Sequence, residues 1–172
     1  MRDLIQFDCL LYAWGKSSLG DFIAVQSDHG LVAFEFASAA GNAIKELQAR
    51  FPSVALTEHP TAMAVTIAAL AQLVDHPDQD PGIPLDIRGT DYEKKVWDLL
   101  RQIPAGTTTS YGAIAAQMGT RDARDVTAAI AANTLAILIP CHRVVRKDGS
   151  LSGYRWGSKR KRTLLERERK KN

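Results

Sequence analysis

The 172-residue sequence predicts an α+β protein in two parts, a small mixed α/β unit over residues 1–84 and a mostly helical unit over residues 85–172. Three observations carry that prediction. Three short runs rich in β-branched, aromatic and other apolar residues open the chain, separated by glycine-containing turns. A loop with three prolines, three aspartates and a glycine, Asp75–Pro84, then interrupts the pattern. Beyond it the apolar residues recur at helical spacing.

The opening runs are Cys9–Gly15, Asp21–Ser27 and Leu31–Phe36, with turns at Leu19-Gly20 and Asp28-His29-Gly30. They read as a three-stranded antiparallel meander. Cys9 is expected to be a small core residue and His29 a turn residue. Two helices follow. Ala39–Arg50 carries Ala43, Ile44 and Leu47 on one stripe. Thr61–Val74 is apolar on most faces and is expected to be largely buried. After the proline-rich loop, Leu85-Asp86-Ile87 reads as a short strand.

Thr90-Asp91-Tyr92-Glu93 fits a capping box, in which the Thr90 hydroxyl and the Glu93 carboxylate satisfy free backbone donors at a helix start. Tyr92, Val96, Leu99, Leu100 and Ile103 then repeat at helical spacing until Pro104-Ala105-Gly106 stops the helix. Tyr111–Met118 and Asp122–Asn133 form two short helices joined by Gly119-Thr120-Arg121, a helix-turn-helix pattern whose second helix can enter a DNA groove. The run Leu135–Ile139 must be buried, and it delivers Pro140-Cys141-His142-Arg143 to the edge of what it enters.

Charge is unevenly spread. Residues 1–85 hold 4 Lys/Arg and 10 Asp/Glu, a net of −6, whereas residues 86–172 hold 18 and 9, a net of +9. A basic half suggests a polyanionic partner. Lys159–Asn172 alone holds 8 basic and 2 acidic residues, and without that segment the half is only +3, so a solvated basic tail is the competing reading. No apolar stretch reaches the ~18 residues of a membrane span. The acidic Met1–Asp8 segment is not expected to be a signal peptide. The two cysteines, Cys9 and Cys141, are far apart, and no Cys-x-x-Cys pair or His/Cys cluster predicts a metal site.

Cys141 beside His142 is the one candidate nucleophile. A free thiol near pKa ~8.5 is only a few per cent ionised at neutral pH, so it needs a base, and a carboxylate can hold that base. Adjacent side chains do not easily bond one another, so a water must bridge them.

The segment Ile139-Pro140-Cys141-His142-Arg143-Val144-Val145 resembles the active-site signature of the O6-alkylguanine-DNA alkyltransferases. So do Gly149–Gly157, Leu85–Thr90 and Val96–Pro104. The likeness is closest to the C-terminal methyltransferase domain of bacterial adaptive-response (Ada-type) proteins. It covers roughly residues 85–168; the first 80 residues resemble the family only in length and element order.

The resemblance implies a ribonuclease-H-like first part and a winged-helix-like second part. It implies single-turnover transfer of an alkyl group from O6 of guanine in duplex DNA to Cys141, with O4-alkylthymine left open. It implies no cofactor, a monomer without a membrane partner, and a cytoplasmic location, on the nucleoid in a bacterium or in the nucleus of a eukaryote. His142 would deprotonate Cys141 through water, with Glu168 orienting it and Glu166 as the competing carboxylate. Asn133 would order the supporting turn and Tyr111 would serve guanine N3. Arg124 would fill the gap left in the DNA stack, with Arg121 as the alternative and Thr109, Ser110, Ala123 and Thr127 on the same DNA face. Backbone groups of Cys141, Val144 and Arg155, with Tyr154, would read the base. Apart from the resemblance, Arg143 reads as a structural residue that pairs with a carboxylate.

Two features depart from the family. The turn before the second helix is one residue short, and Asp122 and Asp125 flank Arg124. The family's metal-binding regulatory module is absent from the sequence, which predicts a stand-alone repair protein. Two other classes fit parts of the pattern. A lesion-binding relative would lack the acceptor cysteine, and a plain helix-turn-helix regulator leaves the run into Cys141 unexplained.

Overall fold

A computed structural model describes residues 9–151 and 153–169. Expectations for Met1–Asp8, Ser152 and Lys170–Asn172 lie outside the described residues. Strands β1 (Cys9–Ser17), β2 (Gly20–Ser27) and β3 (Gly30–Phe36) form the expected antiparallel meander through two tight turns. The sheet has a fourth strand that the sequence did not suggest. After helix α1 (Ala43–Arg50), β4 (Ala55–Glu58) pairs in parallel with β1, giving the order β3-β2-β1-β4. Four residues, half of them polar, carry no strand signal alone; α1 provides the crossover that parallel pairing requires. Cys9, expected in the core, is exposed, because it opens β1 opposite Ala55 at the end of the sheet.

Helix α2 (Pro60–Asp75) starts with His59, whose Nδ1 accepts from Ala62 N at 3.1 Å. It packs on one side only. Met63, Leu70, Leu73 and Val74 are buried, whereas Val65 is 84% exposed, so the expectation of a largely buried helix fails. Its many alanines give high mean apolarity without requiring a second partner.

Helix α3 (Asp91–Arg101) has the full capping box: Glu93 N donates to Thr90 Oγ1 at 3.1 Å and Thr90 N donates to Glu93 Oε1 at 2.9 Å. It buries Val96, Trp97 and Leu100. Tyr92, expected on that stripe, is 37% exposed. The Trp97 indole donates to Ala129 O at 2.9 Å and so pins α3 to α5 (Ala123–Ala131), the second helix of the pair that begins with α4 (Tyr111–Gln117).

Two segments from the second half stitch onto the open edge of β3. Leu85 makes an isolated bridge to Leu31 where a short strand was expected. Gly30 permits this, since a Cβ there would lie 2.6 Å from Pro84 O. Further along, Phe34 N donates to Thr134 O and Ala136 N donates to Phe34 O, at 2.8 and 2.9 Å. The run 135–139 is thereby buried as expected, with Leu138 partly so.

One continuous apolar core joins Phe22, Phe34 and Phe36 of the sheet to α2, α3, α5 and this run. A smaller core (Leu10, Ile23, Val25, Val32, Ala33, Leu47) fills the other side of the sheet under α1. The competing reading of a solvated basic tail fails over the described residues: they form helix α6 (Ser158–Arg169), which buries Lys161, Leu164, Leu165 and Glu168. That spacing of three, four and seven is one helical face. Arg160 anchors it to the first half: its Nε donates to Leu19 O at 2.8 Å and its guanidinium lies 4.9 Å over the Phe36 ring. Among the described residues no helix is long and apolar enough to cross a membrane.

Candidate active site

Asn133 follows α5 and shapes everything after it. Its Oδ1 accepts from Leu135 N at 2.9 Å, while its Nδ2 donates to Ile139 O at 2.9 Å and to Cys141 Sγ at 3.2 Å. One amide thus closes the loop 133–141 and aims at the sulfur. The loop is strained: Ile137 holds φ 68°, which for a β-branched residue costs about 1–3 kcal/mol and persists only where the surroundings enforce it. The bridge to β3 and the Asn133 bonds provide that enforcement. A 3₁₀ turn, Cys141–Arg143, follows Pro140.

Cys141 is 4% exposed. Burial pushes its thiol up to about 11, against the pull of the Asn133 hydrogen bond and of the Lys161 and Arg155 charges. A thiol at that value is roughly one part in 3,000 ionised at pH 7.5, so reaction requires a group that takes the proton.

His142 is fully buried beside it, with Nε2 2.7 Å from Glu168 Oε1. Burial lowers its pKa, with the Glu168 carboxylate opposing. The ring is therefore neutral, with its proton on the nitrogen that faces the carboxylate. Nδ1 is left as an acceptor, buried without a hydrogen-bond partner among the described residues.

Glu168 is buried, which raises its pKa. The bonds from His142 and Arg143 outweigh this and hold it below the ordinary carboxylate range. Arg143 grips Glu168 through Nε at 3.1 Å and Nη2 at 2.8 Å, and its Nη1 donates to Ile103 O at 2.7 Å. It pairs with a carboxylate as expected. Glu166 is exposed on the other face of α6.

Tyr111 opens α4. Strand β5 (Thr109–Ser110) pairs in parallel with β6 (Val144–Val145), so the start of α4 is tied directly to the residue after the cysteine turn. Burial, and the negative charge of an ionised Cys141, raise the Tyr111 pKa and keep it a hydrogen-bond donor. Tyr154 is buried, its pKa is pushed well up by burial, and its hydroxyl finds no hydrogen-bond partner among the described residues. Gly153, at φ 89°, lies close against Tyr111: a Cβ there would be 3.3 Å from the phenol oxygen, which would have to give by a few tenths of an ångström.

The Val144 carbonyl accepts from Lys161 Nζ at 2.5 Å. That lysine escaped the sequence reading. It is fully buried, lies 6.0 and 5.9 Å from the centres of the Tyr111 and Tyr154 rings, and has its pKa lowered by burial against the pull of the Cys141 charge. The signal was its place seven residues before Glu168 on a stripe with Leu164 and Leu165.

The helix pair presents the expected polar residues elsewhere on the surface. Arg121, Arg124 and Thr127 are exposed, and Thr109, Ser110 and Ala123 are half-buried. Ser110 Oγ caps α4 by accepting from Ala113 N at 3.0 Å, and Thr127 Oγ1 donates to Ala123 O at 2.7 Å. Asp122 caps α5 and also pairs with Arg124, whose Nη2 lies 2.8 Å from Asp122 Oδ2 with its side chain 90% exposed. A cavity of about 570 Å³ is lined by the 77–85 loop, residues 101–105, Pro140 and Arg143. It does not include Cys141, so it reaches the back of the turn and not the sulfur.

Residues 91–170 match the family described as 6-O-methylguanine DNA methyltransferase, DNA binding domain. The chain is 42% identical over 158 residues to the bifunctional transcriptional activator/DNA repair enzyme Ada of Escherichia coli, covering 91% of this chain and 45% of that one. It therefore spans about half of that longer relative. It is 35% identical over 155 residues to the inducible methylated-DNA–protein-cysteine methyltransferase of Bacillus subtilis, covering 87% of this chain and 85% of that protein. The crystal structure of Mycobacterium tuberculosis OGT in complex with DNA superposes with a TM-score of 0.75 at 32% identity, covering 93% of each chain.

Proposed function

Because the chain belongs to the 6-O-methylguanine-DNA methyltransferase family, we propose that it repairs duplex DNA by moving the alkyl group from O6 of guanine irreversibly onto Cys141. The observation that carries this is a buried thiol held by Asn133 beside a neutral histidine that is itself held by Glu168.

The proton of Cys141 passes through a water to Nδ1 of His142, and the resulting imidazolium is stabilised by Glu168. The sulfur attacks the alkyl carbon. A C–S bond forms, the C–O6 bond breaks, and the electron pair stays on the guanine, where Tyr111 supplies a hydrogen bond or a proton at N3. The product thioether has no good leaving group for water to displace, so each molecule acts once and no cofactor is needed.

Rotating the base out of the stack costs a few kcal/mol. Arg124 offsets this by filling the gap, with Arg121, Thr109, Ser110, Ala123 and Thr127 on the phosphate and groove side. Val144, Tyr154 and Arg155 border the base. Residues 85–172 form the DNA-binding and acceptor unit and residues 1–84 its support. The protein works as a monomer in the cytoplasm, on the nucleoid if the source is a bacterium and in the nucleus if it is a eukaryote.

Intact-protein mass after incubation with an O6-methylguanine duplex tests this reading. One added methyl, mapped to Cys141 and never followed by a second turnover, is expected. Retention of the lesion without a mass change, or indifference to the lesion, overturns it.

A further inference from the structure

Glu35 is a buried acid of the sheet. It lies on edge strand β3 with a side chain only 10% exposed, and it forms ion pairs with two arginines. Arg50, at the end of α1, approaches Oε2 at 3.4 Å. Arg155, from the loop that carries Tyr154, reaches Oε1 at 2.8 Å. The same Arg155 donates through Nη1 to the Asn133 carbonyl at 3.0 Å. Asn133 in turn donates from Nδ2 to Cys141 Sγ at 3.2 Å. A continuous path therefore runs from the sheet of the first half, through one guanidinium, to the residue that holds the sulfur.

We propose that Glu35 is a positioning residue for alkyl transfer: it fixes Arg155, which fixes Asn133, which orients the acceptor sulfur. This deepens the proposed alkyl transfer and rests on it. Arg155 sits between Gly153 and Gly157, both at positive φ, flanked by the buried Tyr154 and Trp156, with its guanidinium 5.5 Å over the Trp156 ring; that ring contact alone does not fix which way the guanidinium points. Without a fixed anchor its long side chain would sample many rotamers, and the Asn133 carbonyl would lose its brace. The planar guanidinium can serve a carboxylate and a carbonyl at once, which a lysine cannot do with the same geometry. The first half then supplies more than a support for the fold; it sets the aim of the nucleophile.

The test separates binding from transfer. Lesion-duplex affinity and the single-turnover rate at saturating duplex are measured for wild type, Glu35→Gln, Arg155→Met, the double variant and Arg50→Met. Glu35→Gln is expected to slow transfer on the order of 10- to 100-fold with affinity within about two-fold, as a small misplacement of a reacting group would. The double variant should be no slower than Arg155→Met, because both changes break one path, and Arg50→Met should transfer at the wild-type rate. Equal loss of affinity and rate, additive effects in the double variant, or a wild-type rate for Glu35→Gln would each overturn the proposal. A wild-type chain that takes up no methyl would overturn the alkyl-transfer reading itself.

Discussion

Replacing Glu168 by glutamine strikes the most heavily bonded buried carboxylate of the site. The side chain is fully buried and faces His142 Nε2 at 2.7 Å and Arg143 at 2.8 and 3.1 Å. Glutamine keeps the shape and removes the charge. The Arg143 guanidinium, only 10% exposed, is then left with backbone carbonyls and no counter-charge. Breaking a buried pair from one side costs about 3–5 kcal/mol. For a chain of 172 residues this corresponds to a Tm lower by roughly 6–20 °C. Transfer should fall by about 10²–10⁴-fold, the usual contribution of a positioned base, because the imidazolium formed at His142 loses its stabiliser.

The acid limb supplies an independent check. His142 and Glu168 both have folded pKa values below their unfolded ones. Each therefore contributes stability that is complete above its unfolded pKa and is lost as the pH falls through the folded value. Wild type should weaken first below about pH 6.5, from His142, and again below about pH 4.3, from Glu168. Glu168→Gln should lose the second step. Thermal melts across pH and single-turnover mass measurements check both effects. A variant that melts within about 2 °C of wild type and transfers at the same rate would refute the assignment of Glu168 as the partner of His142.

Two further outcomes follow from local geometry. Asp122→Asn should keep the α5 cap, since asparagine caps as well as aspartate, while releasing Arg124 from its carboxylate and removing a negative charge beside it; affinity for a lesion duplex should rise a few-fold, and an affinity equal to wild type in binding titrations would show that the Asp122 pair does not oppose entry of Arg124 into the stack. Gly153→Ala forces a side chain into φ 89° and to 3.3 Å from the Tyr111 oxygen; a loss of about 1–2 kcal/mol in urea unfolding is expected together with slower transfer, and a variant equal to wild type in both would mean that this loop moves aside freely.

The sequence by itself determined the elements whose causes are local. The capping box at Thr90, the meander of the first three strands, the paired helices and the burial of 135–139 each arise from residues within a few positions of one another, so periodicity and turn chemistry suffice to read them. Cys141, His142 and Asn133 were also legible, because they fall within ten consecutive positions, the last of them in an unusually specific segment.

What only the tertiary structure decided is long-range. β4 exists because β1 offers it an edge. The charged terminal stretch becomes helix α6 because a core is there to cover Leu164 and Leu165. Lys161, Glu35 and the double grip of Arg155 are invisible in composition, since a buried charge is stable only beside partners far away in the chain. The candidate nucleophile was legible in the sequence; the burial that pushes its thiol up to about 11, and the buried histidine–glutamate pair beside it, depended on the fold that closes around it.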